Sequence, residues 1–247
     1  MPEPTDQEHE EEDPTRLDGP DDDEEIYESR YDECDDLRPI CQGDVFTDIS
    51  LPGFDGDHEL VMLAVHPCSL RQGAHLRARL QAFPVRPHKQ RVPPAKWPTS
   101  HKKVFPLPDL EGSEHLAAIL SEAGVVTSQQ IAPANRIMTL APRAILLLQQ
   151  RIVWTAAHTV VKLDTLDEFN APALTELELL EYWNEQLCGE LAGQEREEAL
   201  RRTAEAFEKY VKSTGLQDAL TKPDRRADAR SHIRMEAVRR SEESADE

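Results

Sequence analysis

The sequence predicts an α+β protein with an acidic arm over residues 1–36, a small β-rich domain over 37–110, a helical section over 111–220 and a charged tail over 221–247. Three observations carry this expectation. Charge is distributed unevenly, the first half holds short apolar runs closed by turn residues, and apolar residues in the second half recur at spacings of three and four. With 247 residues, of which 38% are hydrophobic, the chain has room for one modest core or two small ones.

The formal net charge of −20 does not describe the chain evenly. Residues 1–36 carry eighteen Asp and Glu against only Arg16 and Arg30. Prolines at positions 2, 4, 14 and 20 and almost no apolar side chains leave this arm too little surface to bury, so it is expected to be disordered when free. Between Leu60 and Pro108, by contrast, there is no acidic residue, and nine Lys and Arg with four histidines fall inside that stretch. An acidic arm thus precedes a basic segment. The arm either keeps the chain soluble or acts as an internal polyanion competing with nucleic acid for the bases.

From Arg38 to Leu51 the pattern is short and alternating, which reads as one or two strands, with a turn at Gly53–Asp57. Leu60 to Val65 is a continuous apolar run suited to a strand buried on both faces, ended by His66-Pro67. Residues 74–85 alternate again and predict a further strand, while the proline-rich stretch from Arg86 to Pro108 predicts a loop or extended segment with short strands. Ser113 is a suitable N-cap for a helix over Glu114–Ala123 that Gly124 would stop. Pro142 opens a helix over Arg143–Ala157, apolar on most sides and so part of the core, and Val160–Leu163 could return to a strand. Leu177, Leu180, Trp183 and Leu187, then Leu200, Phe207 and Val211, mark two amphipathic helices packed as an αα-hairpin. The last thirty or so residues read as a frayed helix and a disordered tail.

Several chemistries lack their signatures. The four cysteines have no CxxC spacing, no P-loop, GxGxxG or GxSxG occurs, and there is neither an apolar N-terminal region nor a 20-residue uncharged apolar span. The expectation is a cytoplasmic protein with no cofactor and no membrane segment. The most distinctive stretch is His66-Pro67-Cys68-Ser69-Leu70-Arg71 at the end of the buried run. His66, Cys68, Ser69 and Arg71 offer a base, a thiol nucleophile, a hydroxyl and an anion binder, so they are the candidate catalytic set. The competing account makes Cys68 a small buried residue and His66-Pro67 only a strand end. His66, Cys68 and His75, with Cys41, match no standard zinc spacing, and no metal site is expected. Arg151 and His158, seven apart, would share one face of the apolar helix, where ordinary internal partners account for them.

A nucleic-acid reading rests on Arg71, Arg77, Arg79, Arg86, Lys89, Arg91, Lys96, Lys102 and Lys103, interleaved with Phe83, Trp97 and Phe105. Bases neutralise phosphates, and aromatic faces such as that of Trp97 stack on unpaired nucleotides of single-stranded RNA or DNA. The alternative is a basic face that docks on the acidic arm or on an acidic partner.

Gly43-Asp44-Val45-Phe46, followed by a turn and the strand Leu60–Val65, resembles the opening of the MazF/PemK-like toxins. The resemblance covers residues 38–85 and implies an SH3-like barrel, a dimer and cleavage of single-stranded RNA. Glu59-Leu60 stands where that family usually has Arg-Pro, and Arg71 and Ser69 fall in the wrong part of the pattern to take over its catalytic roles. The leading expectation is therefore a module with an SH3-like domain that binds nucleic acid or an acidic partner and is restrained by its own acidic arm. Alternatives are an endoribonuclease of the toxin class, and an interaction protein whose helices over 174–215 dock a protein partner within an oligomer or assembly.

Overall fold

The computed structural model describes residues 15–52, 60–111 and 114–245. An antiparallel sheet of eight strands curls into a nearly closed barrel, and six helices, mostly C-terminal, follow or interrupt it. The strands are β1 (Tyr27–Arg30), β2 (Val45–Phe46), β3 (Val61–Leu63), β6 (Arg79–Pro87), β7 (Val104–Glu111), β8 (Glu114–Ile119), β9 (Gly124–Thr127) and β10 (Arg136–Leu140). They lie in the order β1-β10-β2-β3-β6-β8-β7, with β9 beside the first half of β6. A separate two-stranded hairpin joins β4 (Arg71–Gln72) to β5 (His75–Leu76).

Strand β3 is buried on both faces, as its continuous apolar run predicts. Met62 faces a core with Val45, Phe83, Val85, Met138 and Leu140, while Val61 and Leu63 face another with Phe46, Leu70, Leu80 and Val126. Side chains of period two thus feed two cores from one sheet. Strand β6 alternates at first, with Arg79 and Gln81 exposed and Leu80 and Ala82 buried, and is then buried from Phe83 to Val85. The barrel seam between β1 and β7 is closed by side chains instead of a ladder. Tyr27 Oη donates to the Pro108 carbonyl at 2.6 Å, and Arg30 reaches the Asp109 carbonyl at 3.4 Å. Alternate prolines at 106 and 108 remove backbone donors from β7, which blunts that edge.

Helix α1 (Pro67–Leu70) is one short turn after β3. Helix α2 (Pro142–Ala157) begins with Pro142 at its first position, as expected, and buries Ala144 to Arg151 against the first core. Helices α3 (Leu163–Cys188) and α4 (Gly193–Ser213) form the expected αα-hairpin. Leu179, Leu180, Trp183, Phe207 and Val211 meet residues of α5 (Leu216–Leu220) and α6 (Pro223–Ala245) in a third core. The apolar faces over 174–215 that would take a protein partner are therefore already covered from within.

Five expectations need correction. The β section does not end at residue 110, because β8, β9 and β10 extend it to Leu140. Residues 114–119 are strand, not helix: Phe105 pairs with Ala118 and Leu107 with Leu116, so a neighbouring strand overrides the local helix preference, and Gly124 opens β9 instead of stopping a helix. Ser113 itself, like residues 1–14 and the turn expected over 53–57, lies outside the described residues. Residues 160–162 are not strand, and Leu163 starts α3. The C-terminal stretch is not a frayed tail, since α6 buries Ala229, Ile233 and Ala237. Finally, residues 15–36 are not a detached arm. Leu17 and Ile26 are buried, and β1 pairs with β10, because the segment finds on the barrel the apolar partners that it lacks itself.

Candidate functional site

The His66 cluster divides in the fold. His66 caps α1, its Nδ1 accepting the Cys68 backbone N–H at 3.3 Å and lying 2.9 Å from Cys68 Sγ. Ser69 Oγ is 3.6 Å from the same sulfur, and both Cys68 and Ser69 are exposed. Because Nδ1 accepts, the ring proton belongs on Nε2, which is buried without a partner. The nearby Asn170 amide spends its hydrogens on Gln149 Oε1 and the Leu166 carbonyl, both at 2.6 Å. Burial holds His66 below the usual histidine range, so the imidazole is neutral at pH 7. No carboxylate bonds it among the described residues. Arg71 turns away into the protein, donating to the Ile40 carbonyl at 3.2 Å and to the Ala74 carbonyl at 3.5 Å. The structure thus joins His66, Cys68 and Ser69 but leaves Arg71 out of the set, its charge committed to backbone oxygens. Cys41 is a buried thiol pushed up to about 12, chiefly by burial, and no group of three or more potential metal ligands occurs among the described residues.

The aromatic half of the nucleic-acid surface is absent. Trp97 and Phe105 are fully buried and Phe83 nearly so. Trp97 packs edge-on to Phe105 at 5.2 Å, donates from Nε1 to the Val92 carbonyl and lies 4.8 Å from the Arg151 guanidinium. Trp97 is therefore a core residue and not a platform for bases, a correction that follows from its position in a loop folded back over the barrel. Arg151, expected to have ordinary partners, is held by the carbonyls of Trp97, His101 and Val104 at 2.7 to 3.3 Å, and burial brings it down to about 10. It ties α2 to the 97–104 loop. His158 does not share this role, because it ends α2 in a left-handed conformation and is exposed.

The basic half survives in part. Arg86 pairs with Glu122 at 2.9 Å, Arg91 with Asp23 and Asp109, and Lys102 donates to the Thr15 carbonyl beside the Trp154 ring. Arg77, Arg79, Lys89, Lys96 and Lys103 are exposed and make no ion pair among the described residues. His88 and His101 stand with ring centroids 5.0 Å apart in the same loop, and His101 is lowered by burial, then by His88 and Arg151.

An acidic strap lies along this loop. Leu17 N–H donates to the Pro98 carbonyl at 3.1 Å, and Asp18 exchanges hydrogen bonds with Gln150, each 2.7 Å. Gly19 passes so close to the Trp97 Cβ that a side chain there would meet it at 3.0 Å. Asp23, largely shielded from solvent, receives Arg91. The sequence offered little sign of this: only Leu17 and Ile26 are apolar anchors, and the Asp23–Arg91 partners are 68 residues apart.

Neither a protein-family model nor a curated protein matches the chain. Among the described residues, no helix is long and apolar enough to cross a membrane.

Proposed function

We propose that the protein is a binding module whose barrel presents Arg77, Arg79, Lys89, Lys96 and Lys103 to an extended acidic polypeptide. The observation that carries this reading is that five exposed bases make no ion pair among the described residues in a chain of net charge −20. Acid is abundant in this protein, so bases left without it are available to an outside anion. The kind of anion follows from two features. Trp97, Phe83 and Phe105, the aromatics interleaved with these bases, lie in the core and offer no face to unpaired nucleotides, which favours a carboxylate-rich chain over RNA or DNA. The strap also shows an acidic peptide meeting this loop through the Asp23 carboxylate, the Thr15 carbonyl and the Leu17 N–H. A ribonuclease of the toxin class is less well supported, since Arg71 is already spent on the Ile40 carbonyl.

The test is fluorescence anisotropy of a labelled twelve-residue polyglutamate peptide titrated with the full chain, beside a neutral peptide and a labelled single-stranded RNA. The polyglutamate should bind at low salt and weaken as salt rises, and Arg77→Ala with Arg79→Ala should weaken it roughly fivefold. Absence of peptide binding at low salt, or binding that ignores the double substitution, would overturn the reading. Binding of the RNA alone would replace it with the nucleic-acid one.

A further inference from the structure

We infer that the strap over residues 15–23 is an internal ligand that occupies part of the acidic-peptide surface and is displaced when a partner binds; the inference rests on the binding reading above. The strap holds two bases of the 77–103 segment. Asp23 takes Arg91, and the Thr15 carbonyl takes Lys102. These two alternate along the chain with Lys89, Lys96 and Lys103, which make no ion pair among the described residues, so both kinds of base belong to one loop. A partner that extends along the loop therefore meets the strap.

The strap's attachments have the character of a replaceable contact. Arg91 is half-exposed, Lys102 also rests on the Trp154 ring at 5.2 Å, the Leu17 N–H donates to the Pro98 carbonyl, and Asp18 exchanges two hydrogen bonds with Gln150. These polar contacts are ones that another carboxylate-bearing chain can reproduce, whereas the buried Leu17 side chain and the close approach of Gly19 to Trp97 are given up on displacement. Behind the strap the loop stays in place, because Arg151 binds the carbonyls of Trp97, His101 and Val104. Displacement thus releases Lys102 from Thr15 and leaves Arg91 with Asp109 alone, without dismantling the surface. The C-terminal side of the strap is anchored differently: Ile26 is fully buried and its carbonyl receives the Ala141 N–H at 3.0 Å. The strap therefore pivots before Ile26 and remains tethered beside its site, where its high local concentration makes it a competitor of any free peptide.

Two measurements on the full chain test this. The first is amide hydrogen exchange at Leu17 and Asp18 with and without the polyglutamate peptide, which should quicken on binding as both amides lose their acceptors. The second compares the wild type with Asp23→Asn, in which peptide binding should tighten about fivefold. Peptide binding with unchanged exchange at both amides and no gain in Asp23→Asn would overturn the internal-ligand role while leaving the binding reading intact. No binding by either protein would instead remove the binding reading itself. Faster exchange provoked by single-stranded RNA but not by the peptide would overturn the assignment of the partner as an acidic polypeptide.

Discussion

At Gly43 the backbone takes a φ of +88°, and a Cβ there would stand 2.3 Å from Leu140 Cδ1. Both the conformation and the space exclude a side chain, which explains why glycine precedes the buried Asp44. Asp44 and Arg136 are each fully buried, 3.1 Å apart, and Asp44 also accepts the Cys41 N–H at 3.0 Å. The pair stitches the 41–44 turn to β10, so the Gly-Asp step sets how these two parts approach. Gly43→Ala should cost about 2–3 kcal/mol, read from the urea midpoint. A loss under about 0.5 kcal/mol would mean that Leu140 yields easily. Residues in this group were only half legible in the sequence. Gly43-Asp44 stood out as a motif, but its partner Arg136 lies 92 positions away and carries no local sign of burial.

Among the elements, the hairpin of β4 and β5 meets α4, and the helix α6 completes the helical core. Glu208 of α4 accepts the Ala74 N–H at 2.6 Å and the Lys212 ammonium, and Gly73 makes room for it. Lys212, with the Ala74 N–H and His75 adding to it, holds the Glu208 carboxyl below the usual carboxylate range against a smaller opposing effect of burial. A carboxylate depressed on folding stabilises the fold above its unfolded value and loses that contribution as pH falls through its folded one. Wild type should therefore be more stable than Glu208→Gln by about 1 kcal/mol at pH 7, with the gap closing in thermal melts below pH 4. A gap that persists at low pH would place the effect elsewhere. For α6, Ile233→Ala should cost about 2–4 kcal/mol in chemical denaturation, whereas Met235→Ala, on the exposed side, should change stability by less than about 0.5 kcal/mol. Equal losses would contradict the packing. Helix α6 escaped sequence reading because its buried face is Ala229, Ile233 and Ala237, mostly small residues diluted among arginines. Strand β8 escaped because its pairing with β7 is tertiary, while β3 and α2 were legible since a doubly buried strand and a Pro-initiated apolar helix mark themselves locally.

For the molecule as a whole, the acid surplus and the fold are not separable at residue 36. The charge arithmetic found the acidic stretch, but it could not show that Leu17, Ile26 and β1 belong to the barrel. Deleting residues 1–36 should remove the buried Leu17, Pro20 and Ile26 and one strand, a loss of about 3–6 kcal/mol against a total of about 5–15 kcal/mol for a typical domain. Circular dichroism melting should show a large fall in Tm or no cooperative transition. An unchanged Tm would mean that the strap and β1 rest on the barrel without supporting it. Function and stability are thus coupled in the same segment: the proposed displacement of the strap gives up the buried Leu17, while Ile26 and β1 stay with the barrel.

The seam between β1 and β7 gives that coupling a mechanical side. No ladder crosses it, and Tyr27 with Arg30 bridges it to the Pro108 and Asp109 carbonyls. A pull on the N-terminal side of β1 first peels the strap and then loads those bridges together with the ladder from β1 to β10, so tension on the strap reaches both edges of β1 at once.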